Sequence, residues 1–226
     1  MIEFPGVANP VRDDAPPPGS GTGYLARPGK GNGVGVLVLH SWWGLNDSFR
    51  QMCDGLASEG FVALAPDAYG DGEAARTVER ARERSDAMDL VGAEQTLLGA
   101  ADLLAREVDG PIASVGFSMG SGFGLWLARK RPEHLGATVL FYGIGDPADG
   151  QTPVLGHFAA DDEWEPAEEV DRLEAQLREA GRLGAFHRYD GVAHWFAEPD
   201  RPEFDAAAAE SAWQRTLEFL RERLTG

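Results

Sequence analysis

The chain has 226 residues with 20 basic and 37 acidic side chains, a formal net charge of −17. That balance argues against a nucleic-acid partner, since phosphate contacts need a basic patch. A single cysteine, Cys53, excludes a disulfide framework and a cysteine-rich metal site. The length suits one α/β domain over residues 1–226, large enough to bury a core without covalent staples. The N-terminus lacks a basic segment followed by an apolar one, and no stretch approaches the about 18 apolar residues of a membrane span. The expectation is a soluble, cytoplasmic, monomeric protein with no membrane partner.

Residues 1–33 are rich in Pro and Gly, including Pro10, Pro16 and Pro28, and predict an edge hairpin and loops, with a short strand at Tyr24-Leu25-Ala26. Gly31-Asn32-Gly33-Val34-Gly35 has alternating glycines, but a strand follows them, so a dinucleotide-binding turn is not expected. The near-continuous apolar run Val34 to His40 reads as a parallel strand covered on both faces. A helix is predicted from Asn46 to Glu59 and a strand over Phe61 to Ala65. Residues 73–108 read as mostly helical with a break near Val91-Gly92. Arg76, Arg80, Arg82 and Arg84 there form a solvated face beside Glu79 and Glu83. A strand at 112–117 and a helix at 120–131 follow. Strands are then expected at Ala137 to Tyr142, Pro153 to Phe158 and Ala185 to Tyr189. Helices are expected from Pro166 to Ala180 and from Phe204 to Leu224, the last with a stripe of Ala207, Ser211, Leu217 and Leu220. This alternation predicts an α/β fold, a mostly parallel sheet flanked by helices on both faces. Sites in such sheets lie beyond the C-terminal ends of the strands.

Gly116-Phe117-Ser118-Met119-Gly120 stands between a predicted strand and a predicted helix. A serine on so sharp a turn presents its hydroxyl at the top of the sheet, and the flanking glycines permit the backbone. A serine hydroxyl needs a histidine base, and the histidine a carboxylate. In α/β-hydrolases these follow in the order Ser, acid, His. His40 precedes Ser118, His134 falls near a helix end, and His157 and His187 fall within strands, which leaves His194. The acid lies in Asp161-Asp162-Glu163, with Asp162 preferred and Asp161 in reserve. For the oxyanion, the N–H of Met119 and that of Trp42 are the expected donors. Trp42, Trp43, Trp164 and Trp195 flank these loops and suggest an aromatic cleft. His40, His157 and His194 lack metal-ligand spacing, and neither a metal nor another cofactor is expected.

Together with Ala65-Pro66-Asp67-Ala68-Tyr69-Gly70, Tyr142-Gly143, His157 to Asp162 and Gly191 to Phe196, these motifs resemble the dienelactone hydrolase family of α/β-hydrolases from about Gly33 to Leu224. The resemblance implies Asp162 as the acid. It also implies departures. Ser118 replaces a cysteine nucleophile, and Ser41 stands where a thiol-activating glutamate is found. Asp71 and Glu198 stand where two arginines hold a substrate carboxylate. With Ser41 and the tryptophans, these are the expected substrate-lining residues. Acidic side chains repel a carboxylate, so the expected substrate is a small apolar or aromatic ester, uncharged or cationic rather than carboxylate-bearing, unless Arg76 or another arginine folds inward. The expected activity is ester hydrolysis through an acyl-enzyme. A thioester, lactone or peptide substrate for the same triad, or a non-catalytic scaffold, are the alternatives.

Overall fold

The computed structural model describes residues 1–9, 17–30, 33–148 and 150–224. Pro10 and Pro16 of the predicted N-terminal loops, and Gly31-Asn32 of the glycine-rich stretch, lie outside them. The chain gathers into two compact units, Met1–Ile112 and Ala113–Gly226.

The first unit holds strands β1 (Ile2–Pro5), β2 (Ser20–Ala26), β3 (Gly35–Leu39) and β4 (Val62–Pro66), side by side in the order β1-β2-β4-β3. The predicted hairpin is β1 against β2, antiparallel, with Phe4 opposite Gly21. A Cβ on Gly21 would stand 2.6 Å from the Phe4 ring, so glycine lets that ring lie flat on β2. The apolar runs β3 and β4 pair in parallel and are buried throughout, as a strand covered on both faces must be. Helix α1 (Asp47–Ser58) is capped by Asn46, whose side chain accepts the Phe49 N–H, and it buries Phe49, Cys53 and Leu56 at helical spacing. The long helical stretch is two helices, α2 (Val78–Asp86) and α3 (Leu90–Glu107). The break expected near Val91-Gly92 falls just before Leu90. Asp89 is the reason, because its carboxylate accepts the N–H groups of Val91 and Gly92 and starts α3 there.

The second unit holds β5 (Ile112–Phe117) from its second residue on, then α4 (Met119–Lys130), β6 (Leu135–Phe141), β7 (Val154–Ala159), α5 (Ala167–Glu179), β8 (Leu183–Tyr189) and α6 (Ala206–Leu224). Its strands lie in the order β5-β6-β7-β8, and the β6–β7 and β7–β8 pairs are parallel. Val170, Leu173 and Leu177 of α5 pack with Leu125, Leu140, Val154 and Phe158 in one core cluster. Helix α6 starts behind Asp205, which caps the Ala208 N–H. Its buried face is Ala212, Thr216, Leu217 and Leu220. The predicted stripe was rotated at its start, where Ala207 is exposed. Within this unit the loops leaving β5, β7 and β8 at their C-terminal ends carry Ser118, Asp162 and His194. Among the described residues no helix is long and apolar enough to cross a membrane.

Candidate active site

Ser118 joins β5 to α4 with φ 50° and ψ −116°, a left-handed backbone that a serine adopts only under constraint. Several contacts supply the constraint. The Ser118 N–H donates to the Phe141 carbonyl at 2.8 Å, and the Ser121 N–H donates to the Ser118 carbonyl at 2.9 Å. The Ser121 hydroxyl donates to the Gly116 carbonyl at 2.9 Å. Two glycines make the turn possible. A Cβ on Gly116 would lie 2.3 Å from the Gly120 carbonyl oxygen, and one on Gly143 would lie 2.2 Å from that of Ser118. Met119 is the first residue of α4. Its N–H is therefore among the helix-terminal donors that lack a carbonyl in their own helix, and it lies at the positive end of the helix dipole.

His194 Nε2 lies 3.0 Å from Ser118 Oγ, and its Nδ1 lies 2.9 Å from Asp162 Oδ2 and 3.1 Å from Oδ1. The side chains of His194 and Asp162 are each 3% exposed. Asp162 cannot swing away, since Oδ1 also accepts the N–H groups of Trp164, at 2.8 Å, and Glu165, at 3.2 Å. With an acidic acceptor at Nδ1, the fitting tautomer donates Nδ1–H to Asp162 and offers the Nε2 lone pair to the serine hydroxyl. This constellation can take up the Ser118 proton as the oxygen attacks a carbonyl. Asp161, next in the chain, is exposed. The Asx turn that Asp162 makes with Trp164 and Glu165 separates two aspartates that sequence leaves equivalent.

The His194 ring occupies a slot of aromatic faces. The Tyr142 centroid is 5.0 Å away at 56°, that of Trp195 4.9 Å away at 89°, and that of Trp164 6.3 Å away. Trp164 is half-buried, whereas Trp195 is 4% exposed and belongs to the packing. Tyr142, at φ 37°, was missed as a site residue although Tyr142-Gly143 stands out as a motif. Its phenol donates to Glu198 Oε1 at 3.2 Å, and burial, with Glu198 beside it, pushes its pKa well above 10. Glu198 is fully buried and does not line open space as the sequence suggested. Glu165 was also missed. Burial, with Asp162 next to it, raises its carboxyl to about 7.

The remaining sequence-predicted residues belong to the first unit. Ser41 and Trp43 are buried there and Trp42 is half-buried, its carbonyl accepting the Tyr69 hydroxyl at 3.0 Å. Asp71 pairs with Arg84 at 2.6 Å. Arg84 is a correction to the solvated arginine face. Its side chain is 4% exposed and its guanidinium stacks 4.1 Å above the Tyr69 ring. Arg76 is exposed. His40, excluded by chain order, is buried. Its Nε2 accepts the Ala68 N–H, and Nδ1 bonds the Ser41 carbonyl, which ties two loops together.

Residues 22–224 match the model of the dienelactone hydrolase family. Protein usf of Aquifex pyrophilus is 32% identical over 90% of this chain and 94% of its own. The carboxymethylenebutenolidase of Rhodococcus opacus is 28% identical over 86% of this chain and 83% of its own. A dienelactone hydrolase-like promiscuous phosphotriesterase from metagenomic libraries superposes with a TM-score of 0.78 at 25% identity, covering 99% of this chain and 98% of that one.

Proposed function

The chain belongs to the dienelactone hydrolase family and is a hydrolase acting on esters, and on that premise we propose that Ser118 is its nucleophile, His194 the base and Asp162 the acid. The observation that carries this reading is the unbroken hydrogen-bond path from Ser118 Oγ through His194 to Asp162, with links of 3.0 and 2.9 Å. Ser118 Oγ attacks the ester carbonyl while its proton passes to His194 Nε2. The Met119 N–H holds the oxyanion. His194 then returns the proton to the leaving alcohol. A water that loses its proton to Nε2 hydrolyses the acyl-enzyme.

The substrate is proposed to be a small neutral ester with an apolar or aromatic group. Trp164 beside the imidazole offers an aromatic surface. Asp161, Glu163 and Glu165 flank Asp162 on its loop and disfavour a carboxylate. Hydrolysis of p-nitrophenyl acetate by wild type, Ser118→Ala and His194→Ala tests the reading. Each variant should lose about 1,000-fold or more in kcat. A variant as active as wild type overturns it. Labelling of Ser118 by paraoxon, read by mass spectrometry, separates a nucleophile from a non-catalytic scaffold, which would remain unlabelled.

A further inference from the structure

We propose that Glu198 is a positioning residue for His194, acting through the Tyr142 hydroxyl; the proposal rests on the reading of His194 as the base.

The argument starts from what Asp162 leaves undone. A carboxylate on Nδ1 fixes one edge of the imidazole, but the ring can still rock about that edge. Rocking moves Nε2 relative to Ser118 Oγ, and misplacement of about 1 Å costs about 100-fold in rate. Tyr142 blocks that motion on one face, with ring centroids 5.0 Å apart. Trp195 meets the imidazole edge-on, at 4.9 Å.

Tyr142 can do this only if its own ring is held. Its N–H donates to the His157 carbonyl at 2.7 Å, which fixes the backbone to β7. Phe196 meets the ring edge-on at 5.3 Å. These contacts confine the ring, and the hydroxyl fixes its far end, held by Glu198 Oε1 at 3.2 Å. Glu198 is four residues beyond His194 in the same loop. Its N–H donates to the Trp195 carbonyl at 2.9 Å, and its carbonyl accepts the Arg201 N–H at 3.0 Å. The loop that carries the base thus grips Tyr142 twice, at the ring face through His194 and at the hydroxyl through Glu198. Burying a carboxylate is costly unless it is well partnered. Glu198 is such a buried carboxylate, and its bond to the Tyr142 hydroxyl ends one ring away from the base.

The test compares Tyr142→Phe, Glu198→Ala and Glu198→Gln with wild type. Glutamine keeps an oxygen acceptor of nearly the same shape. Readouts are kcat and KM for p-nitrophenyl acetate and the rate of Ser118 labelling by paraoxon, both per titrated active site so that misfolded protein does not count. The NMR signal of the His194 Nδ1 proton is a third readout and needs no turnover. Tyr142→Phe and Glu198→Ala should lower kcat and labelling about tenfold, the order expected for one lost hydrogen bond, with KM unchanged and the Nδ1 proton signal broadened. Glu198→Gln should stay within about twofold of wild type by the same reasoning. Wild-type rates and a sharp signal in Tyr142→Phe overturn the positioning role. So does a Glu198→Gln variant as impaired as Glu198→Ala. A wild type that neither hydrolyses nor labels overturns the proposed function instead, and the proton signal then still decides whether Glu198 orders His194.

Discussion

The backbone behind Ser118, the proposed nucleophile, gives a sharp test in Gly143→Ala. The new methyl carbon would start 2.2 Å from the Ser118 carbonyl oxygen, 2.7 Å from its carbonyl carbon and 2.8 Å from its Cα. All three are backbone atoms of the residue whose side chain is proposed to attack the substrate, so no flexible side chain can yield. Restoring an ordinary contact requires about 1 Å of movement between Gly143 and Ser118. Movement of that size at a reacting atom costs about 100-fold in kcat/KM. Overpacking of this kind also costs about 1–3 kcal/mol of stability. In a chain of this length that lowers Tm by roughly 2–4 °C per kcal/mol. Gly122→Ala is the matched control, since its Cβ would meet only the Ile144 carbonyl oxygen at 3.3 Å. The assay is p-nitrophenyl acetate hydrolysis and Ser118 labelling, alongside thermal unfolding. A folded Gly143→Ala variant with wild-type kcat/KM would refute the reasoning, because the Ser118 backbone could then move freely without consequence.

Asp162→Asn should lower kcat by about 1,000- to 10,000-fold, because an amide cannot hold the imidazole in the same tautomer. Asp161→Asn should change it less than twofold, about the effect of a surface substitution away from the chemistry. Equal effects in steady-state kinetics would contradict the assignment between them. Thermal stability should fall on acidification through His157, which is buried with Nδ1 on the Tyr189 hydroxyl and Nε2 on the Thr216 hydroxyl. Burial first, then His187 and Arg215, hold its pKa well below 6.5. The unfolded chain therefore takes up a proton near pH 6.5 while the folded chain does not. The stability from His157 is complete above that pH and falls as pH drops toward the folded value, by at most about 1.4 kcal/mol per pH unit. His157→Gln should flatten the decline of Tm between pH 6.5 and 5, and an unchanged slope in calorimetry would count against it.

What the sequence made legible was whatever period and chain order encode. The apolar runs that became β3, β4, β5 and β7 could hardly be anything but buried strands. The order Ser, acid, His then singled out Ser118 and His194, the two residues the structure brings within 3.0 Å. Adjacent aspartates share period and order, so only the turn geometry at Asp162 could part them. Arg84 shows a different limit. It follows Ala81 by three residues and shares its buried face, but hydrophobic pattern does not mark an arginine as interior. Its partners Asp71 and Tyr69 are 13 and 15 residues away in the chain. Trp43 and Trp195 fail the other way. Large aromatic residues on loops suggest a lined cleft, yet both are packed inside, where area burial favours them equally well.

The charge argument about substrate changes its footing once these side chains are placed. Taken as two unpaired acids, Asp71 and Glu198 would turn away any carboxylate. Asp71 is instead matched by Arg84 at 2.6 Å, and a compensated charge repels weakly. Glu198 faces inward to Tyr142, so its carboxylate acts on the base loop before it acts on a ligand. The acidity close to the base comes from elsewhere, from Asp161, Glu163 and Glu165 on the loop that carries Asp162. Of these, Glu165 is half-buried, and burial, with Asp162 next to it, raises its carboxyl to about 7. The proposed preference for neutral esters therefore rests on residues 161–165, while Asp71 and Glu198 belong to the packing around Tyr69 and Tyr142.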